Sequence, residues 1–233
     1  LVSHKKINSY ALVSVYYKKN IRLLCDLLKK NNIGIISTGS TYKKIKSLGY
    51  NCLEVSKLTQ LNNILDGRVK TLHSKIYISI LYDRKNTYHK KTFKEQDFPK
   101  IDYVIVNLYP FIKFANQKPN EAIEMIDIGG PTLLRASAKN FEHITTISSV
   151  DDYILLKHNI EKNFGSTDLG FRENMAKKVF KLTSEYDLNI QNWFSKKITS
   201  NKYKLKYGEN PNQKAFLRKP RYINNFQIQG KEI

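Results

Sequence analysis

Cysteine is almost missing from this chain. Of its 233 residues, 2 are Cys, 1 is Trp, 2 are Met, 6 are Pro and 10 are Gly. The two cysteines, Cys25 and Cys52, make no disulfide framework and stand in no metal-type spacing. A reducing, cytoplasmic setting without a bound metal is therefore expected. Long hydrophobic runs are missing too. No window approaches the roughly 18–20 apolar residues of a membrane span, so no membrane partner is expected. Leu1 to Tyr10 are polar and basic, with none of the apolar core that marks a secretory signal. Acid is scarce: 20 Asp and Glu stand against 40 Lys and Arg, a formal net charge of +20. What is present is a normal supply of core residues, 41% hydrophobic and 12% aromatic, which excludes a disordered chain. The length suits one large domain, or one domain and part of another.

Arginine is the scarcest cation, with 7 Arg against 33 Lys. A polyanion partner is one meaning of +20, because clustered cations release counterions from phosphates. These lysines are scattered along the whole chain, whereas a nucleic-acid footprint gathers on one face or stripe. Lys, Asn, Ile and Tyr are also what A/T-rich codons supply. The charge is read as a solvated surface, and no nucleic-acid partner is expected.

Short β-branched runs alternate with amphipathic stretches. Ala11–Val15, Gly34–Thr38, Cys52–Val55, Tyr103–Leu108 and Ile144–Ser148 read as strands, and the fourth is apolar on both faces, as in a covered parallel sheet. Asn20–Asn31, Thr41–Leu48, Glu121–Met125, Pro131–Asn140, Asp151–Glu161 and Asn174–Phe194 read as helices. Gly49 is expected to end the second of them in a left-handed conformation. Strands alternating with helices predict an α/β fold, an open and mostly parallel sheet with flanking helices. Ligands bind such sheets at the carboxyl ends of the strands. A basic run, Lys196–Lys206, leads into YGENPNQ and a tail with little strand or helix pattern.

Four blocks carry polar chemistry. In Ser37–Thr41 (STGST) a strand passes through Gly39 into a helix, where free N–H groups and the helix dipole favour an anion. An ordinary helix cap by Ser40 or Thr41 would use the same residues. Leu65–His73 (LDGRVKTLH) holds Arg68, Lys70, Thr71 and His73. Arg offers phosphate a bidentate fork and Lys a point charge, against the alternative of a solvated basic loop. Val106–Phe111 (VNLYPF) ends the central strand and presents Asn107 and Tyr109 where a ligand would sit, or simply a strand stopped by Pro110. Ile126–Asn140 (IDIGGPTLLRASAKN) sets Asp127 ahead of a helix with Pro131 in its first turn. Arg135 and Lys139 share a face of that helix. An acid and a lysine facing one pocket would divide acid and base work, while two solvated cations on a surface helix would not.

Taken in order, ISTGST, LDGRVKTLH, VNLYPF, IDIGGPTLLRASAKN, TSEYD and KYGENPNQK resemble the bifunctional purine-biosynthesis enzymes that join IMP cyclohydrolase to AICAR formyltransferase. The resemblance implies a cyclohydrolase domain over 1–199 with a methylglyoxal-synthase-like fold, and the incomplete start of a formyltransferase domain over 200–233. It implies ring closure of 5-formamido-imidazole-4-carboxamide ribotide to IMP with loss of water, and no cofactor for that step. 10-Formyltetrahydrofolate would serve only the formyltransferase half. The partner implied is a small ribonucleotide, with a homodimer as the assembly.

Carried over by motif, Thr38, Gly39, Ser40 and Thr41 would hold the phosphate, and Lys18, at the end of the first strand, would also contact the nucleotide. Arg68, Lys70 and Thr71 would contact the ligand, Lys70 stabilising an oxyanion. Asn107 and Tyr109 would line the base site, and Asp127, Ile128 and Gly129 would touch the heterocycle. Lys139 would carry protons, and Lys206 and Tyr207 would contact the formyltransferase substrate. The chain departs from the family at several of these places. Tyr16 and Tyr17 stand where small polar residues are usual, and Ser40 replaces a second glycine of the turn. Ile78 and Ser79 replace two further glycines, a change expected to remove backbone freedom near the site. The alternative to an active enzyme is a phosphate-ligand-binding module of the same fold without turnover.

Overall fold

In this computed structural model the described residues are 7, 9–60, 65, 69–115, 119–199, 202–204 and 216–218. Five parallel strands form one sheet in the order β3-β2-β1-β4-β5. They are β1 (Ser9–Val15), β2 (Ile33–Ser37), β3 (Leu53–Glu54), β4 (Ile101–Asn107) and β5 (Thr145–Ile147). Every residue of β2 and all but one of β4 is buried, which is why these strands lack polar alternation. The expected fold is the observed one.

Helices cover both faces. α1 (Ile21–Lys30) buries Ile21, Leu24, Cys25, Leu27 and Leu28, the stripe read from the sequence. It packs with Ile105, Ile147, Tyr153, Leu156 and Ile160 in one core. α2 (Gly39–Ser47) follows β2 and α3 (Val55–Thr59) follows β3. Then come α4 (Ser74–Leu81) and α5 (Thr87–Glu95) before β4, and α6 (Phe111–Phe114), α7 (Pro119–Glu124) and α8 (Gly129–Lys139) after it. α4 and α8 pack together and against β4, and Ile76, Ile80, Leu133 and Leu134 are sealed from water. Each such side chain contributes on the order of 2 kcal/mol of transfer free energy. A 3-10 turn, Val150–Asp152, leads into α9 (Tyr153–Lys162), and α10 (Leu169–Thr199) is the longest helix among the described residues. β6 (Lys202–Lys204) and β7 (Phe216–Arg218) pair antiparallel, so the tail holds strands that its composition does not announce.

The chain forms two compact units. Leu1–Tyr186 holds the five-stranded sheet, and Asp187–Ile233 holds the β6–β7 pair. Several expectations need correction. Val55 starts a helix instead of ending a strand. The segment with Ile78 and Ser79 is regular helix, where glycine offers no advantage. Ser79 is buried, and its hydroxyl accepts the Ile101 N–H at 3.0 Å and donates to the Pro99 carbonyl at 2.9 Å. Those partners mark the amino end of β4, the edge opposite the motifs. The change from glycine therefore removes no freedom near the site.

Candidate active site

β2 and β4 deliver two of the four blocks, Ser37–Thr41 and Val106–Phe111, to the carboxyl edge of the sheet, where β1 also runs out into Tyr16, Tyr17 and Lys18. The strand order reverses between β1 and β4, which places the crevice of an open α/β sheet there. β2 exits through Thr38 into Gly39, whose φ of +55° is left-handed and suits glycine. α2 begins at Gly39, and Thr38 makes no side-chain cap, so the first N–H groups of the helix have no partner of that kind. Ser40 is exposed, and its φ is not among the positive ones, so a second glycine is not required at that place. Thr41 is buried, and its hydroxyl is committed to β1. It accepts the Val15 N–H at 3.1 Å and donates to the Val15 carbonyl at 3.0 Å. It braces the turn.

The basic loop reaches this turn from elsewhere in the chain. A Cβ built on Gly39 would lie 3.9 Å from the Lys70 ammonium, so the lysine stands over the turn. Thr71 is buried, and its hydroxyl would be 2.9 Å from a Cβ on Gly129. Residues 69–71 thus lie between the glycine turn and the start of α8. Arg68 lies outside the described residues, as do Lys206 and Tyr207.

Asp127 sits just before α8, its carboxylate accepting the Gly130 N–H at 2.8 Å, and the Tyr109 N–H also donates to it. Burial pushes the Asp127 carboxyl above the usual carboxylate range, and the two N–H donors oppose that. The Asp127 N–H donates to the Tyr186 hydroxyl at 2.7 Å. Burial also raises the Tyr109 phenol, with Asp127 and Tyr16 adding to the rise. Ile128 is 58% exposed at the rim.

The β1 exit is aromatic. Tyr16 meets Tyr109 edge-on at 5.1 Å and Tyr17 at 4.9 Å, and the Lys113 ammonium lies 5.6 Å from the Tyr17 ring. Asn107 is 9% exposed, and both ends of its amide serve the Tyr17 backbone. Its oxygen accepts the Tyr17 N–H at 2.9 Å and its nitrogen donates to the Tyr17 carbonyl at 3.1 Å. Lys18 turns back to the Val15 and Tyr16 carbonyls at 3.3 and 3.2 Å, and burial pulls its pKa down.

One expected residue does not join this group. The 11 residues of α8 span about 15 Å, and Lys139 closes the helix with an exposed side chain. The neighbouring Asn140 donates to the Ile80 and Tyr82 carbonyls, beside the amino end of β4. A lysine side chain reaches about 6 Å, so one copy of the chain does not bring Lys139 to the Asp127 carboxyl. Tyr186 does not stand out within TSEYD. Its place on the apolar stripe with Leu182 and Ile190 marks a buried face, but nothing local shows what its hydroxyl meets. Among the described residues no group of three or more His, Cys, Asp or Glu could hold a metal ion.

The all-parallel sheet in this order, with a glycine turn after its second strand, is that of a methylglyoxal-synthase-like α/β domain, and residues 21–132 match the MGS-like domain family. Residues 137–233 match the AICARFT/IMPCHase bienzyme family. The bifunctional purine biosynthesis protein PurH of Fusobacterium nucleatum is 46% identical over 96% of this chain and 47% of its own length. The protein of that name from Brachyspira hyodysenteriae is 43% identical over 88% of this chain and 43% of its own. The chain thus spans about half the length of the curated relatives it matches. The crystal structure of ForH superposes with a TM-score of 0.73 at 28% identity, covering 80% of this chain and 97% of that one.

Proposed function

We propose that this chain is an IMP cyclohydrolase, closing 5-formamido-imidazole-4-carboxamide ribotide to IMP in purine biosynthesis. The observation that carries the reading is the arrival of Lys70 over the Gly39 turn. It joins an anion cradle to an ammonium, beside Thr71, whose hydroxyl faces Gly129, and Asp127, just ahead of α8. The 5′-phosphate lies on the N–H groups of Thr38, Gly39, Ser40 and Thr41 at the start of α2, with Lys18 and Arg68 adding charge. The heterocycle lies in the β1–β4 crevice against Tyr109, Ile128 and Gly129.

The reaction is intramolecular, so holding the substrate folded removes much of the barrier. The carboxamide nitrogen bonds to the formyl carbon, and Lys70 stabilises the negative charge that moves onto the formyl oxygen. Asp127 takes the proton from the carboxamide nitrogen, as a stronger base than an ordinary carboxylate. Tyr109, beside it, completes the proton path. The carbinolamine then loses its hydroxyl, the formamido nitrogen gives up its proton, and the two protons and the formyl oxygen leave as one water. Asn107 acts through the Tyr17 backbone. Lys139 is remote within its own chain, and the acid–base work falls to Asp127 and Tyr109.

The same reading assigns 1–199 to the cyclohydrolase and 200–233, with Lys206 and Tyr207, to a formyltransferase domain using 10-formyltetrahydrofolate. It gives the protein a homodimeric, cytoplasmic life and a ribonucleotide as ligand, with no cofactor for ring closure. A binding module without turnover is the second reading. It is favoured by Thr41 and Asn107, whose polar groups already serve the fold. Absorbance during incubation with the formamido ribotide separates the two. IMP formation supports the enzyme, calorimetric binding of IMP without turnover supports the module, and the absence of both turnover and binding refutes both.

A further inference from the structure

TSEYD takes no part in the chemistry of ring closure, yet two of its side chains reach the α8 region. Thr183 is fully buried, and the Arg135 guanidinium of α8 lies 3.4 Å from its hydroxyl and 5.5 Å from the Phe180 ring. One turn further along α10, Tyr186 is 7% exposed and meets the Phe111 ring edge-on at 6.4 Å. Its hydroxyl accepts the Asp127 N–H at 2.7 Å. Asp127 is therefore held at both ends: its side chain by the Gly130 and Tyr109 N–H groups, and its backbone by a phenol 59 residues away.

We propose that Tyr186 is a positioning residue of the site: it anchors the turn over 125–128 and so sets where the Asp127 carboxyl stands. The other bonds of the turn are local: the Met125 and Ile126 N–H groups donate to the Ala122 and Ile123 carbonyls, and Thr132 donates to the Ile128 carbonyl. Ile128 is exposed and contributes little packing, and Asp127 is the residue the turn must place. A rigid mount matters because displacing a catalytic group by about 1 Å can cost on the order of 100-fold in rate. Tyr186 touches no substrate on this reading, and its effect passes through Asp127. The inference rests on the cyclohydrolase reading only for its kinetic arm.

The test is Tyr186→Phe in the full chain, which keeps the ring and its contact with Phe111 and removes only the hydroxyl. In the kinetic arm kcat for ring closure falls about tenfold while KM and calorimetric IMP affinity stay within about twofold. Unchanged kcat, or a lower kcat accompanied by higher KM, weaker IMP affinity and lower thermal stability, would overturn the proposal. The second arm needs no turnover. Amide hydrogen exchange should quicken at Asp127 and also at Gly130, whose N–H bonds the carboxylate and not Tyr186. If Gly130 keeps its protection, Tyr186 does not position the carboxyl, and the proposal fails. A chain that never forms IMP would refute the functional reading and leave this second arm to decide about Tyr186.

Discussion

Asp127 is the residue on which most of the site turns. Its carboxyl is partly buried and raised in pKa, so the folded chain holds its proton more firmly than the unfolded chain does. A raised carboxyl favours folding below the ordinary value of 3.8 and loses that contribution as pH rises through and above it. Asp127→Asn abolishes this contribution. We expect the stability of the variant relative to the parent, measured by denaturant unfolding, to grow as pH rises from acid toward neutral. A constant difference across that range would show that the carboxyl is not raised. The same substitution should lower ring closure by about 100-fold or more, since it removes the base. Lys139→Ala should lower it by less than about threefold, since a solvated lysine at the far end of α8 has no general acid–base role in its own chain. Steady-state rates of the two variants side by side decide this, and a loss at Lys139 matching that at Asp127 would contradict it.

The starts of α2 and α8 are the elements that make the site, and each depends on a glycine for a different reason. Gly39 needs its left-handed φ, and Gly39→Ala should cost about 1–2 kcal/mol in unfolding free energy. Gly130 needs its lack of a side chain. A Cβ there would lie 2.4 Å from the Asp127 carboxylate and 2.8 Å from Leu108, so Gly130→Ala must displace one of them. We expect that variant to lose most ring closure while retaining its circular dichroism. Parent-like rates would contradict the packing around Asp127.

The elements also show what the sequence reveals and what it conceals. β1, β2, β4 and β5 are legible because burial on both faces leaves runs such as Val104, Ile105 and Val106. α1 is legible from its apolar spacing. α4 is not, because SKIYISIL is β-branched and strand-like, and its helical state comes from packing on β4 and α8. The site residues are legible as polar blocks at strand ends. Which of them face a ligand is not, because Thr41 and Asn107 spend their polar groups on partners 26 and 90 residues away. The distance of Lys139 from Asp127 becomes visible only with the length and direction of α8.

At the scale of the whole molecule, the +20 charge needs no polyanion. A few cations, Lys18 and Lys70 among the described residues, stand at the edge where a phosphorylated ligand is proposed to bind, and the rest are spread over the surface. Two parts of the chain match two families, and together they cover about half of each relative. The described residues include no helix long and apolar enough to cross a membrane. The central claim is that this half closes the ring by itself, with Lys70 and Asp127 on the reacting atoms. The most direct measurement follows IMP formation by absorbance from the formamido ribotide, with the parent chain, Lys70→Ala and Asp127→Asn compared at one substrate concentration. The account predicts IMP from the parent and a drop of about 100-fold or more in each variant. No IMP from a parent chain that is folded, or equal rates from all three, would contradict it.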